Sequence, residues 1–202
     1  NTNNWLKKQN LENSQVNIII FGPPGAGKGT QAKNLVSKLK NFQVSTGDIL
    51  RDEIKNNTEI GKKIINNMNE GKFVDDQIVN KLLENIVFDN DKKNKLIFDG
   101  YPRTINQAKN LEKLLNRSNQ KIDHIFFLNV NKDSIVKRIE KRKVLEKRSD
   151  DDAETILKRY DNYMEVTKPV LDYYLKNPNF HEIDGSMKIL DISKKIEEIL
   201  NV

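Results

Sequence analysis

A glycine-rich segment, FGPPGAGKGTQ from Phe21 to Gln31, contains the residue types with which proteins bind phosphate. Glycine lets the backbone bend where a side chain would clash, so that successive N–H groups can point at phosphate oxygens. A helix that starts directly after such a turn adds its positive dipole end. Lys28 adds a mobile cation for the outer phosphates. The segment therefore predicts a site for a phosphate chain.

The match to the phosphate-loop pattern G-x-x-x-x-G-K-[ST] is incomplete. Gly22, Gly27 and Lys28 fit the pattern, whereas position 29 is Gly and the hydroxyl comes one residue later, at Thr30. The alternative interpretation is an ordinary turn between a strand and a helix. Such a turn needs neither a lysine at this place nor four glycines within eight residues, so we favour the phosphate loop.

Charged residues also follow two other apolar segments. Asp99 ends the segment KLIFD, where an acidic residue can hold Mg²⁺ through water beside a phosphate loop; a turn-capping aspartate is the alternative. Arg51 comes one helical turn after Ser-Thr-Gly-Asp, and Arg103 follows a Gly-Tyr-Pro bend. A lone arginine is usually a surface residue. Two guanidinium groups at neighbouring strand ends predict a second anion site.

A third group of arginines lies in the second half of the chain, at positions 138, 142, 148 and 159. One interpretation is a solvated pair of helices with salt bridges to nearby acidic residues. The other is a cationic flap that closes over a triphosphate. Phosphoryl transfer needs charge neutralisation, alignment and exclusion of water, and such a flap would contribute to all three.

Five apolar segments alternate with helical patterns, which predicts a doubly wound α/β fold with a five-stranded parallel sheet. The predicted strands are residues 16–21, 42–44, 95–99, 124–130 and 180–184. Helical patterns lie between the strands. The first follows the phosphate loop, and a series with breaks at 56–57 and 71 extends to Asn85. Further helices are predicted at 104–115, at 133–142, at 152–167, where Pro169 would end or kink the helix, and at the end of the chain, where an apolar stripe extends from Ile189 to Leu200. Ligands of such folds bind beyond the carboxyl ends of the strands, where the phosphate loop, Asp99 and the two arginines fall.

The composition limits the other possibilities. The 202 residues suit one core domain, 16–202, preceded by an N-terminal extension, 1–15. We interpret the extension as a loosely held segment; the alternative is a segment that docks on a partner or a membrane surface. The net charge of +6 suits an anionic ligand, but interspersed acidic residues argue against nucleic acid. No cysteine, membrane-spanning run or secretory signal is present. We expect a cytoplasmic protein, with an organelle as the alternative.

Taken together, these segments resemble an adenylate kinase of the nucleoside monophosphate kinase family, which has the phosphate-loop NTPase type of fold. The resemblance rests on GPPGAGKGTQ (22–31), STGDILR (45–51), EGKFV (70–74), DGYPRT (99–104), RSDD (148–151) and IDG (183–185), in this order. It implies reversible transfer from ATP to AMP, giving two ADP, with Mg²⁺. It also implies two helical insertions: an NMP-binding segment, 45–74, and a lid region, 138–159.

The resemblance further implies a role for each site residue. Catalytic roles fall on Lys28, Arg103, Arg142, Arg148 and Arg159. ATP would contact Gly25, Ala26, Gly27, Lys28, Gly29, Thr30, Arg138, Arg142, Gly185 and Met187, with Arg138 stacked on its adenine. AMP would contact Thr46, Leu50, Arg51, Met68, Val74, Gly100, Arg103 and Gln107, with the Gln107 amide at the adenine edge. Asp99 would help to hold Mg²⁺ through water, and Thr104 favours AMP over pyrimidine monophosphates.

The lid is where the sequence departs from many members of the family, which have a longer segment between the positions of Arg142 and Arg148. Either this chain has the short form, or lid residues are absent from the sequence near Lys143 and Val144; the ending RSDD favours the second interpretation. The alternatives for function are a GTP:AMP phosphotransferase, a uridylate–cytidylate kinase and a non-catalytic nucleotide sensor. We expect a monomer.

Overall fold

The computed structural model of the chain describes residues 15–69, 74–146 and 153–202. This part contains a five-stranded parallel sheet in the order β2-β3-β1-β4-β5. The strands are β1 (Ile18–Phe21), β2 (Phe42–Ser45), β3 (Leu96–Asp99), β4 (His124–Asn129) and β5 (Phe180–Asp184). The helices are α1 (Lys28–Leu39), α2 (Thr46–Lys55), α3 (Glu59–Asn69), α4 (Asp76–Val87), α5 (Ile105–Arg117), α6 (Lys132–Glu146), α7 (Ala153–Tyr174) and α8 (Ile189–Leu200). The predicted doubly wound fold is confirmed.

The central strand β1 explains why its sequence does not alternate between polar and apolar residues. Its four residues are at most 2% exposed, because β3 and β4 flank the strand and helices cover both faces of the sheet. One layer consists of α4, α5 and α7, and the other of α1, α6 and α8. The phosphate loop leaves the sheet from this most buried strand, so its position is fixed by the main core.

A third and smaller core lies where α2, α3 and α4 meet. Its buried residues are Leu50, Ile64 and Leu82. The helices α2 and α3 pack closely at Gly61, where an added Cβ would lie 2.1 Å from the carbonyl oxygen of Glu53. Only glycine permits this approach, so the two helices form a hairpin whose packing depends on one residue.

Two details of the predicted helices differ in the structure. We expected Pro169 to end or kink a helix at 152–167, and the predicted end is wrong, because α7 continues through the proline to Tyr174. The residues after the proline include Val170 and Leu171, whose burial in the main core offsets the hydrogen bond that proline cannot donate. In α8 the apolar stripe starts at Ile192, because Ile189 remains 55% exposed. The break predicted at Gly71 lies outside the described residues.

None of the helices in the described ranges combines the length and the apolar character needed to cross a bilayer.

Candidate active site

The phosphate loop joins β1 to α1 and has the backbone shape that its glycines predict. Gly25 and Gly27 have φ values of 81° and 90°, in the left-handed region that favours glycine. Gly27 is also the N-cap of α1, and no side chain caps this helix. The amide groups of its first turn are therefore available to an anion. Ala26 between the glycines is buried in the core, which anchors the loop.

Lys28 is the first residue of α1 and is half-buried. Burial lowers the pKa of its ammonium group, the negative charge of Asp99 raises it, and the positive charge of Arg103 lowers it further. These effects require the three side chains to lie near one another. The predicted donor lysine, metal-binding aspartate and acceptor arginine therefore share one region at the carboxyl edge of the sheet.

Asp99 faces the phosphate loop from the end of β3. An added Cβ at Gly29 would lie 4.0 Å from Asp99 Oδ2, and Gln43 Nε2 on β2 donates a hydrogen bond to the same oxygen at 3.0 Å. The sequence interpretation missed Gln43. The only available signal was a polar residue within an apolar strand, and its partner became evident only from the parallel pairing of β2 with β3.

Arg103 lies in the bend that follows β3. Gly100, with φ 72°, turns the chain, and the Arg103 Nε donates a hydrogen bond to its carbonyl oxygen at 3.0 Å. The guanidinium group remains exposed at the edge of the sheet, where it can meet an anion. Thr104 caps α5 by accepting a hydrogen bond from the Gln107 amide nitrogen at 3.1 Å. The turn at Gly100 and the cap at Thr104 thus determine the position of the Arg103 backbone.

Gln107 is buried and uses both ends of its side-chain amide within the protein. Its Oε1 accepts a hydrogen bond from the Arg103 amide at 2.8 Å, and its Nε2 donates to Asp76 Oδ1 at 2.7 Å. A nucleobase at this position would have to share or replace the contact with Asp76. Asp76 is a second residue that the sequence interpretation did not connect with the site.

Arg51 lies in the middle of α2, the helix that follows β2. Its side chain is 62% exposed and forms an ion pair with Asp48, whose pKa is lowered first by this interaction. Ser45 caps α2 by accepting a hydrogen bond from the Asp48 amide, and Thr46 follows as the first helical residue. In this structure the proposed phosphate ligand Arg51 thus binds a carboxylate of its own helix.

The three apolar residues predicted at the AMP site contact one small core: Leu50 and Met68 lie on the α2–α3 hairpin, and Val74 lies just before α4. Leu50 is buried in the small core, and Met68 and Val74 pack against that core. Leu50 is on the same helix as Arg51, which follows β2, whereas Arg103 follows the neighbouring strand β3. The structure therefore brings the three apolar residues together at the small core.

One of the predicted ATP residues farther along the chain, Arg138, contacts the phosphate loop. Arg138 on α6 contacts the carbonyl oxygens of Gly25, Ala26 and Gly185. Met187 packs partly buried against the core on the α1 side of the sheet, and Thr30 is exposed on α1. Arg148 lies outside the described residues, as do the side chains of Arg142 and Arg159, so the structure leaves the predicted arginine flap untested.

Comparisons with known proteins identify the family of the chain. The family model "Adenylate kinase" matches residues 20–179. An adenylate kinase of Pelagibacter ubique is 48% identical over 213 aligned positions, covering 93% of this chain and all of the relative. One from Mycoplasma capricolum is 44% identical, covering 83% of this chain and 91% of the relative, and one from Bartonella henselae is 40% identical, covering 91% and 98%.

The relatives differ in how many of their residues have no counterpart in this chain. In the Pelagibacter alignment the chain supplies 93% of its 202 residues, about 188, to 213 positions, so about 25 residues of that relative have no counterpart here. In the Bartonella alignment it supplies 91%, about 184, to 190 positions, so few residues are unmatched. Relatives of both lengths therefore exist.

Proposed function

Since the chain belongs to the adenylate kinase family, its reaction is the reversible transfer of a phosphoryl group from ATP to AMP, and we propose that the phosphate loop binds the donor while Arg51 and Arg103 bind the acceptor. The product is two ADP. The relatives named above are all adenylate kinases, and they do not favour a GTP-dependent, pyrimidine-specific or non-catalytic function.

One observation carries the assignment of residues. Asp99 at the end of β3 lies beside the phosphate loop, with its Oδ2 4.0 Å from a Cβ added at Gly29. Arg103 follows in the bend after the same strand, and both charges act on the pKa of Lys28, which follows β1. The donor cation and the acceptor cation therefore flank the same carboxylate. A phosphoryl group that moves between two nucleotides must pass through such a region, in which cations neutralise the charge of the transition state.

The chemistry required of the protein is mainly positioning. The loop amides and Lys28 would hold the outer phosphates of ATP, while the guanidinium groups of Arg51 and Arg103 would hold the phosphate of AMP. The attacking oxygen belongs to that phosphate, whose second pKa is about 6, so it is ionised at neutral pH and needs no general base. Residues of the small core, with Leu50 at its centre, would orient the nucleoside.

The residues present fit a magnesium ion. Asp99 offers a carboxylate oxygen beside the phosphate loop, and oxygen is the ligand that Mg²⁺ prefers. Within the described ranges, no group of three or more acidic, histidine or cysteine residues could form a complete metal site. This agrees with an ion held by one carboxylate, by water and by the nucleotide phosphates. When bound, Mg²⁺ neutralises the charge of the β- and γ-phosphates.

The experiment that tests this function is a coupled assay of ADP formation with ATP or GTP as donor and AMP, UMP or CMP as acceptor. We expect turnover to be fastest with ATP and AMP. Faster turnover with GTP or with a pyrimidine monophosphate would assign the chain a different substrate pair. Absence of turnover with every pair would contradict the enzymatic function.

Arg103→Ala tests the acceptor site in the same assay. Removing a positioned charge donor should lower kcat/KM by about 100-fold or more, several kcal/mol of transition-state stabilisation. Arg117→Ala is the matched control, since Arg117 lies at the far end of α5 and pairs with Glu84. A loss of less than tenfold for Arg103→Ala would show that this arginine does not contact the acceptor phosphate.

We also propose that 45–74 is the NMP-binding segment, that 138–159 is the lid region and that the chain acts as a monomer in the cytoplasm. Light scattering on the purified protein tests the oligomeric state, and cell fractionation tests the location. The missing-lid hypothesis is tested by the intact mass. A mass near 23.4 kDa would exclude additional lid residues.

A further inference from the structure

The side chain of Arg138 connects two loops of the donor site through their backbones. Its Nη1 donates to the carbonyl oxygens of Gly25 at 3.3 Å and Ala26 at 3.4 Å, and its Nη2 donates to that of Gly185. The first two oxygens belong to the phosphate loop and the third to the turn between β5 and α8. One guanidinium group thus spans segments that are more than 150 residues apart in sequence.

The helix that bears Arg138 is itself seated against the loop. Ile135 lies one turn earlier on α6 and is completely buried, and an added Cβ at Gly25 would lie 3.5 Å from its Cγ2. Residues three apart on a helix share a face, so Ile135 supports the loop through apolar contact while Arg138 binds its carbonyl groups. The guanidinium group therefore does not swing freely at the surface.

The second loop is a fixed anchor. Gly185 is buried, its amide donates to the Asn129 carbonyl oxygen at 2.9 Å, and an added Cβ would lie 2.4 Å from Val130 Cγ2. Asp184 next to it accepts hydrogen bonds from the Ser186 amide and hydroxyl. This turn is thereby held against the end of β4, and it can serve as the support from which Arg138 restrains the phosphate loop.

The direction of the loop carbonyl groups gives this restraint a chemical meaning. A phosphate chain is bound by loop N–H groups that point inward, which requires the carbonyl groups of the same peptides to point away. Arg138 binds the carbonyl groups of two consecutive peptides, Gly25–Ala26 and Ala26–Gly27. The N–H of the first peptide is used within the loop, where Ala26 donates to the Pro23 carbonyl oxygen at 3.0 Å, so the N–H that Arg138 can orient toward a phosphate is that of Gly27. Arg138 therefore stabilises the loop shape that phosphate needs.

We propose that Arg138 is a positioning residue that holds the phosphate loop in its binding shape before the donor nucleotide arrives. This role rests on the proposed donor site and goes beyond a contact with the base, because it affects the phosphates of any donor. A base contact and a loop restraint differ in one measurable respect. A base contact does not influence a ligand that has no base, whereas the restraint does.

Inorganic tripolyphosphate is such a ligand, and its affinity can be measured by calorimetric titration. Arg138→Met keeps much of the side-chain volume and removes the donors. We expect it to weaken tripolyphosphate and ATP by a similar factor, about tenfold, as for lost hydrogen bonds of a charged group. The KM for AMP should stay unchanged. Arg117→Met is the matched control and should change neither ligand.

Two outcomes would overturn the proposal: unchanged tripolyphosphate affinity with weakened ATP binding, which indicates a base contact only, or no change in either ligand. Lys28→Met distinguishes failure of this proposal from failure of the donor site. If the loop binds phosphate at all, this variant must bind tripolyphosphate more weakly than the wild-type chain does. If Arg138→Met does not fold, Arg138→Lys replaces it, because lysine retains one donor group. This variant should show an intermediate loss of tripolyphosphate affinity, and an unaltered affinity would count against the restraint.

Discussion

The phosphate loop and the α2–α3 hairpin lie at the same edge of the sheet but are held by different means. The loop follows the most buried strand, and Ala26, Ile135 and Arg138 fix it to the main core. The hairpin is supported by a small core with three buried residues, and the side chain of its proposed phosphate ligand Arg51 is 62% exposed. The proposed donor site is therefore built into the sheet, whereas the proposed acceptor site depends on a peripheral unit.

This difference has a thermodynamic consequence. Segments with few buried apolar contacts open locally at a lower free energy than the main core of the same protein. The hairpin should therefore open without unfolding the sheet, and AMP should stabilise it by binding the closed form. The donor loop should change little when ATP binds, because its shape is already established by contacts within the protein.

Lys28→Met should have the largest effect, because it removes the cation at the centre of the donor site. We expect kcat/KM to fall by about 100- to 1,000-fold, the range for loss of one positioned charge donor. Steady-state kinetics with a thermal melt of the same variant measures it. Lys33→Met is the control, since Lys33 is exposed on the same helix. A loss below tenfold would show that the donor site is not organised around Lys28.

Gly61→Ala should have the next largest effect, and it should affect the acceptor side alone. The added methyl group would lie 2.1 Å from the Glu53 carbonyl oxygen, so α2 and α3 must separate, which costs about 1–3 kcal/mol. We expect the KM for AMP to rise while tripolyphosphate affinity is retained. Asn66→Ala on the exposed face of α3 is the control. Equal losses at both sites would refute the separation of the two regions.

Asp48→Asn should have a smaller effect of the opposite sign. The Asp48 carboxylate competes with a phosphate for Arg51 and repels that phosphate. An exposed ion pair contributes about 0.2–1 kcal/mol, so removing the charge should lower the KM for AMP by no more than about fivefold. Asp52→Asn, on the exposed side of α2, should leave it unchanged. A higher KM in Asp48→Asn would mean that this carboxylate positions Arg51 for the phosphate.

The pH dependence of stability should produce the smallest effect, and it should affect both regions equally. His124 and His181 lie at the opposite, amino-terminal edge of the sheet, where their ring nitrogens are 3.4 Å apart. Burial lowers the pKa of both imidazoles, and for His124 the neighbouring His181 lowers it further while Asp123 opposes the shift.

The sign follows from these lowered pKa values. Below the ordinary imidazole pKa of 6.5 the unfolded chain binds protons that the folded chain still excludes, so the free energy of unfolding decreases as the pH falls. It becomes constant once the folded imidazoles are also protonated. Urea unfolding at pH 7.5 and 5.5 measures this, and His181→Asn should reduce the difference. A stability that rises on acidification in the wild-type chain, and not in the variant, would contradict the sign.

The features that could be predicted best from the sequence are those formed by residues adjacent in the chain. The phosphate loop, the five strands and the positions of Asp99 and Arg103 follow from local patterns, together with the rule that parallel strands present their carboxyl ends to ligands. The contacts of Gln43 with Asp99 and of Gln107 with Asp76 were not predictable, because they join residues 56 and 31 positions apart and depend on strand register and helix packing. Pro169 misled for a related reason, since burial of the residues after it outweighs its local preference.

Hydrogen exchange of the ligand-free protein, followed by mass spectrometry, tests the central difference most directly. We predict that amides of α2 and α3 exchange through local opening at a free energy well below that of amides in β1 and α1. AMP alone should slow exchange in the hairpin, whereas tripolyphosphate alone should leave it unchanged. Equal protection of the two regions without ligand, or earlier opening of β1 and α1, would contradict a donor site built into the sheet and an acceptor site on a peripheral unit.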